Sequence, residues 1–421
     1  MKRGYRISIF ILASLLLVMP LLAGCGGDDE DKESPKPSPG NGAADTVTIT
    51  IGNLTDKTGP TANALGIMDM ALEDTARHFN EENLIPGVQL KIVEYDTAYQ
   101  PANYIPGYLW LRDKGADVIY SADPGAAEVL KSRVDRDEFV VFSSNAQKAL
   151  LGDPGYCFTA SSYPPNLYYT LLDWIAENDW DYESKGPARI GVATWSSSLD
   201  VATADGIKQY CQEHPDQFEW KGAYLKEMSF SWTTEAQELK DCDYVLPPSA
   251  ALVTFVKDYK SVSGKAKFIG SDPHLGFFRL VGDARMWDEI DDMLLIRESG
   301  YWGEDGSMVE LSEELMNRYR DGSQEEIKAA GGTYNAVWHY YIIFDIIKQA
   351  AAEVGPENID SQAIYKATQS YSLTLDGVER FSFSETKRFG VDKVLIYKVA
   401  AEDKAIVRVE QDLIPIMRVF E

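Results

Sequence analysis

Residues 46–79 read TVTITIGNLTDKTGPTANALGIMDMALEDTARHF, and three local signals in this stretch decide the fold. From Thr46 to Ile51 the chain alternates Thr with Val or Ile, a β-branched run with the two-residue period of a strand. Thr58-Gly59-Pro60 then turns the chain. Beyond it Leu65, Met68, Leu72, Thr75, Ala76 and Phe79 recur at helical spacing.

The same unit repeats outward from there. QLKIVEY (89–95) is a second strand, 103–114 a helix, 116–120 a strand, 126–135 a helix and 139–142 a strand. The pattern restarts at RIGVA (189–193), with helices at 202–214, 233–239 and 249–259 and extended segments at 223–228, 244–246 and 267–270. Alternating strands and helices imply parallel, doubly wound sheets, so the chain is expected to be an α/β protein with two Rossmann-like lobes. Open sheets of this kind bind ligands outside the carboxyl ends of their strands, and two facing lobes then form a cleft lined by strand-to-helix loops. The loops in question are 53–66, 121–127, 143–146, 194–200, 247–250 and 271–276.

Composition narrows the function. The 421 residues are 45% hydrophobic and 25% charged, the balance of a globular chain large enough for more than one core. Forty basic residues against 66 acidic give a formal charge of −26, a field that repels phosphate backbones and argues against nucleic-acid partners. Four cysteines and four histidines are too few for a disulfide scaffold or a Cys/His zinc cluster. The sequence has no G-x-S-x-G elbow, Walker-A loop, G-x-G-x-x-G or H-E-x-x-H. No catalytic residue, metal or cofactor is therefore expected, which sets a binding protein ahead of a cell-surface hydrolase.

The N-terminus points outside the cytoplasm. Lys2, Arg3 and Arg6 precede an apolar run from Ile7 to Leu22, which ends in Leu22-Ala23-Gly24-Cys25. This is the layout of a secretory signal, and the run, interrupted by Pro20, is short for a membrane span. The order Leu-Ala-Gly-Cys resembles the lipobox of bacterial lipoproteins, which implies cleavage after residue 24 and a lipid on Cys25. Removal of 1–24 takes away three basic residues and no acidic one, leaving −29. Residues 26–45, GGDDEDKESPKPSPGNGAAD, read as a solvated tether between the anchor and the folded part.

IGNLTDKTGPTANALG, the strand end Glu94-Tyr95-Asp96, Gln100-Pro101 opening a helix, and later TYNAVWHYYIIFDIIKQAA together resemble the branched-chain amino-acid type of substrate-binding protein of ABC importers, the type I periplasmic binding proteins. The resemblance covers most of residues 46–421. It implies a monomer with three crossings between the lobes and hinge closure on a small ligand, an amino acid or related carboxylate passed to an ABC permease. Carried over, the crossings fall near Ala160, Leu295 and Leu375, giving lobe 1 as 46–160 plus 296–375 and lobe 2 as 161–295 plus 376–421. A sensory lipoprotein of the same fold is the alternative.

The resemblance also implies ligand contacts. The loops around Ser121, Gly125 and Ala126, and around Ser143, Ser144 and Asn145, would hold an α-carboxylate through hydroxyls and backbone amides, although serines and asparagine also serve as ordinary helix caps. In the first loop Pro124, Gly125 and Ala126 replace the usual paired serines, so amides would carry more of the contact. Asp272 matches the acid that receives a ligand ammonium, and it is equally a turn former before Pro273. His274 is either a ligand contact or a loop polar group, and Trp195 and Ser249 lie on cleft loops. Cys211 and Cys242 either pair or, with Cys157, remain reduced. The N-terminal reading has a direct test: Cys25→Ser is expected to leave unprocessed precursor without lipid label, and a variant that matures with lipid attached would refute it.

Overall fold

The computed structural model describes residues 46–145, 148–152 and 154–419. The signal segment, Cys25, the tether and Ala146 of the 143–146 loop lie outside the described residues. Five strands form the first sheet: β1 (Val47–Thr55), β2 (Val88–Asp96), β3 (Val118–Ser121), β4 (Val141–Ser143) and β5 (Cys157–Thr159), in the order β2-β1-β3-β4-β5 with every pairing parallel. β1 lies inside the sheet between β2 and β3, and from Ile49 onward it is buried on both faces.

The second sheet comprises β6 (Ala188–Trp195), β7 (Phe218–Lys226), β8 (Tyr244–Leu246), β9 (Lys267–Ser271) and β10 (Leu294–Arg297), all parallel. A small hairpin follows, β11 (Ser372–Leu375) with β12 (Val378–Ser382). β13 (Lys393–Ala400) then adds antiparallel to β10, and β14 (Ala405–Arg408) and β15 (Ile414–Pro415) pair with β13. β7 is the outer strand, and its burial alternates residue by residue along FEWKGAYLK, as a one-sided edge strand requires.

Helices cover both sheets. The helix Ala62–Glu81 packs Phe79 edge-on against Tyr341 and Phe344 of the helix Val337–Val354, which returns to the first lobe after β10. Two acids on the inner face of Ala62–Glu81 carry their own partners. Asp69 accepts from Asn53 (2.7 Å) and Thr55 (2.9 Å), and Asp74 from Arg320 (2.7 Å) and Tyr334 (2.5 Å). The helix Pro164–Asn178 was not anticipated; it opens with prolines in its first turn and buries most of its length beside the helix Ser198–Glu213.

The chain passes between lobes after β5 and after β10. At the expected third crossing near Leu375, the SLTL strand pairs with its own hairpin partner and not with the second sheet. Phe381 bridges to Val391 and Phe389 to Thr159, while Phe383 packs edge-on against Phe142 and Phe158, so the chain stays against the first lobe until it enters β13. Cys157, Cys211 and Cys242 are buried free thiols, and burial pushes Cys211 up to about 12 and Cys242 to about 11.

The two lobes touch across the cleft. Tyr99, on the loop after β2, has a left-handed backbone (φ 54°) and packs into the second lobe's apolar cluster around Trp195. Arg279 pairs with Glu326 across the lobes. At Gly276 a Cβ would lie 3.1 Å from the Ala64 methyl and 3.3 Å from the Thr333 hydroxyl, closer than ordinary van der Waals contact, so the absent side chain is what lets the loop after β9 approach the first lobe. Gly276→Leu is expected to hold the lobes apart without disturbing either core. The radius of gyration with ligand present should rise and affinity should fall at least tenfold; a variant that closes and binds like the wild type would show that this contact does not limit closure.

Candidate ligand-binding cleft

Loops at the carboxyl ends of the two parallel sheets line a cavity of about 210 Å³. From the first lobe come Leu65 and Met68 of the helix after β1, Tyr99 after β2, Pro124 after β3 and Ser144 and Asn145 after β4. The second lobe supplies Trp195 and Asp200 after β6, Ser249 after β8, Asp272 and His274 after β9, and Arg297 and Glu298 at the end of β10. Trp338 and His339 also line it.

Six of the ten expected contact residues therefore line the cavity: Ser144, Asn145, Trp195, Ser249, Asp272 and His274. Ser121, Gly125, Ala126 and Ser143 do not, and the first three share a physical reason. The 121–127 loop folds around its own carboxylate, with the Gly125 amide donating to Asp123 Oδ1 (3.1 Å) and the Tyr104 hydroxyl to Oδ2 (2.7 Å). The Ser121 hydroxyl and the Ala126 amide both donate to the Asp123 carbonyl, at 2.7 and 3.3 Å. Amides expected to receive a ligand carboxylate are thus spent inside the loop. Burial pushes the Asp123 carboxyl up to about 6. Ser143 is buried, and the Ser144 amide and hydroxyl donate to the carbonyls of Ser121 and Ala122, each at 2.9 Å.

Asp272 also departs from its expected role. Its Oδ1 accepts from Arg297 Nε at 2.6 Å and its Oδ2 from the Glu298 amide at 3.1 Å. The Arg297 side chain is 1% exposed, bonds the Gly300 carbonyl and the Ser299 hydroxyl, and lies 5.5 Å from the ring centres of Tyr301 and Tyr397. A buried guanidinium needs this carboxylate, so Asp272 lines the cavity already paired within the protein. His274 is a capping group: its Nδ1 accepts from the Ser271 amide (3.2 Å), which makes Nε2 the donor to the Pro247 carbonyl (3.0 Å). Burial lowers its pKa to about 4, so the ring is neutral. His339 meets the Tyr120 hydroxyl at 3.2 Å, and burial lowers it to about 3.

The two carboxylates in the cavity wall without a cationic partner are Glu298 and Asp200. Glu298 accepts from the hydroxyls of Ser161 and Ser162 (both 2.6 Å) and from the Ser162 amide (2.7 Å); burial and then the nearby Asp272 charge push it up to about 7. Asp200 accepts from Thr194 (2.8 Å) and Ser197 (2.6 Å), and burial pushes it up to about 6. Neither was singled out from the sequence. Asp200 lies on the 194–200 loop expected to border the cleft, with no role of its own assigned there, and Glu298 becomes a cleft residue only where the lobes meet. Among the described residues no cluster of His, Cys, Asp and Glu is placed to hold a metal ion, and no helix is long and apolar enough to cross a membrane.

Residues 48–404 match the model of the periplasmic binding protein family, and the chain belongs to that family. No curated protein matches the sequence. Among solved structures it is similar to a branched-chain amino-acid ABC transporter protein of Thermus thermophilus with bound valine, at 20% identity over 89% of this chain and 98% of that one (TM-score 0.75). It is similar as well to a fatty-acid ABC transporter substrate-binding protein of Thermomonospora curvata, 16% identical over 87% and 92% (TM-score 0.73). A solute-binding protein of Rhodopseudomonas palustris in complex with benzoate matches at 13% identity over 88% and 97% (TM-score 0.70).

Two variants separate structure from binding at this site. Asp272→Asn, which strands the Arg297 charge, is expected to cost about 3 kcal/mol of stability in urea unfolding. Glu298→Gln should instead change the pH profile. A carboxyl raised from its ordinary 4.5 to about 7 by folding gives stability that is fully present below pH 4.5 and lost as pH rises through 7. The melting temperature of Glu298→Gln should therefore decline less than that of the wild type between pH 4.5 and 7.5; parallel curves would contradict the assignment.

Proposed function

We propose that this protein is an extracytoplasmic, lipid-anchored receptor that captures a small organic solute by hinge closure and delivers it to an ABC permease. The observation that carries the reading is the placement of the cavity, enclosed by loops from the carboxyl ends of both parallel sheets, so that a ligand is shared by the two lobes and favours their closure. Family membership supports the receptor role. Similar proteins solved with valine and with benzoate point to solutes with compact apolar bodies, which suits walls built from Leu65, Met68, Leu167, Trp195, Leu246 and Phe277. The anchor rests on the Leu-Ala-Gly-Cys order at residues 22–25, and the lobe limits on the sheet membership of the strands.

Closure provides the test. A ligand found by thermal-shift screening should raise the melting temperature with the logarithm of its excess over Kd, by about 2.7 kcal/mol of stability at a hundredfold excess. The same ligand should reduce the radius of gyration in X-ray scattering. Deletion of the gene should abolish uptake of that solute, with recovery on complementation. A ligand that binds without compaction and whose uptake is unaffected by deletion would remove the reading.

A further inference from the structure

We infer that the cleft is built for a ligand whose charged end is a cation, an amine or quaternary ammonium on an apolar body, and not for a carboxylate. The inference rests on the cleft being the ligand site and names the solute class it takes.

The charges that line the cavity are Asp200, Asp272, Arg297 and Glu298, three carboxylates to one guanidinium, and the histidines among them are held neutral. Arg297 is consumed by Asp272, Gly300 and Ser299. What remains, among the described residues, is two acids without a cationic partner, both on second-sheet elements: Asp200 on the helix after β6 and Glu298 at the end of β10. Much of the donor set expected for a ligand carboxylate is already engaged, which leaves, among the described lining residues, neutral groups such as those of Asn145 and Ser249 and no free cation. The Ser144 amide and hydroxyl, the Gly125 amide and the Ser121 hydroxyl all donate within the first lobe. An anion in this cavity would face two acids held only by hydroxyl and amide donors, with no free cation among the described lining residues, whereas an ammonium would supply the cation they lack. Tyr99, Tyr168, Trp195 and Trp338 contribute aromatic rings to the same wall, and a cation against such faces is further stabilised. At −26 the surface field also concentrates cations around the molecule.

Titration gives the two classes opposite signatures. The groups around Glu298 are the Ser161 and Ser162 donors, Asp272 with its partner Arg297, and Arg380, whose Nη2 donates to the Glu298 carbonyl. Asp200 is faced by Thr194 and Ser197 and by the cleft tyrosines Tyr99 and Tyr168. With Glu298 at about 7 and Asp200 at about 6, an ammonium stabilises their ionised forms and expels protons on binding. Affinity for an amine then rises with pH between 5 and 8, a range in which alkylamines stay protonated. Affinity for a carboxylate changes in the reverse direction.

The experiment is calorimetry of the full chain with matched series on isopentyl, hexyl and phenethyl bodies, each as the amine, the trimethylammonium and the corresponding carboxylate. Amines should bind with an affinity that grows at least tenfold from pH 5 to 8, and with proton release revealed by the dependence of the heat on buffer ionisation. Glu298→Gln and Asp200→Asn, each checked for folding by melting curve, should each weaken amine binding at least tenfold at pH 7.5. If carboxylates alone bind and compact the protein, the cation assignment is overturned while the receptor reading stands. If no amine or trimethylammonium of the series binds, the assignment is likewise overturned. If solutes bind and none compacts the protein, the receptor reading falls on its own evidence.

Discussion

The ion pair between Arg297 and Asp272 governs the arrangement of everything around it. Arg297 is the last residue of β10, where the chain leaves the second sheet for the first lobe, and Asp272 opens the turn after the neighbouring strand β9. A guanidinium this deeply buried would be costly alone, and the carboxylate 2.6 Å away makes its burial tolerable. The pair fixes the ends of two adjacent strands relative to one another, and the second carboxylate oxygen, by accepting the Glu298 amide, sets the direction in which the next side chain leaves the strand. Close approach from the other lobe completes the packing: a Cβ at Gly332 would lie 2.5 Å from an Arg297 nitrogen, so only glycine lets the segment before helix Val337–Val354 run over the guanidinium.

From that fixed point the electrostatics of the cleft follow. Because Arg297 is satisfied locally, the cavity has no spare positive charge to offer, and Glu298 is presented to it with hydroxyl and amide donors only. The same economy appears in the first lobe, where Asp123 gathers the donors of its own loop. A polar group buried without water must find partners nearby, and loops of this fold can supply them either to a ligand or to themselves. Here they are largely turned inward, which is where this chain departs from the contacts that its resemblance implied.

The contrast between Ser144 and Ser121 shows how far local signals reach. Ser121 ends one short buried strand and Ser144 directly follows the next, and both precede helical turns, so their sequence contexts are similar. One lines the cavity and the other is wholly buried, because the acid two residues after Ser121 draws the backbone around itself. Asp123 was legible as a residue; its inward orientation depends on Tyr104 and Thr97 from the preceding βα unit. In the same way the crossing expected near Leu375 came from resemblance, while the hairpin partner of SLTL, set by a turn at Asp376-Gly377, is known only from the structure.

Sequence alone determined the alternation of strand and helix, its restart near residue 188, the parallel sheets and the loops that border the cleft, because each depends on periodicity and turn chemistry carried by neighbours in the chain. Tertiary structure alone decided which polar groups in those loops are free. Asp272 meets Arg297 across 25 positions, and Glu298 meets Ser161 across 137. Whether a carboxylate is spent on the protein or left for a ligand is a question of hydrogen-bond partners brought from distant parts of the chain, and no local pattern records it.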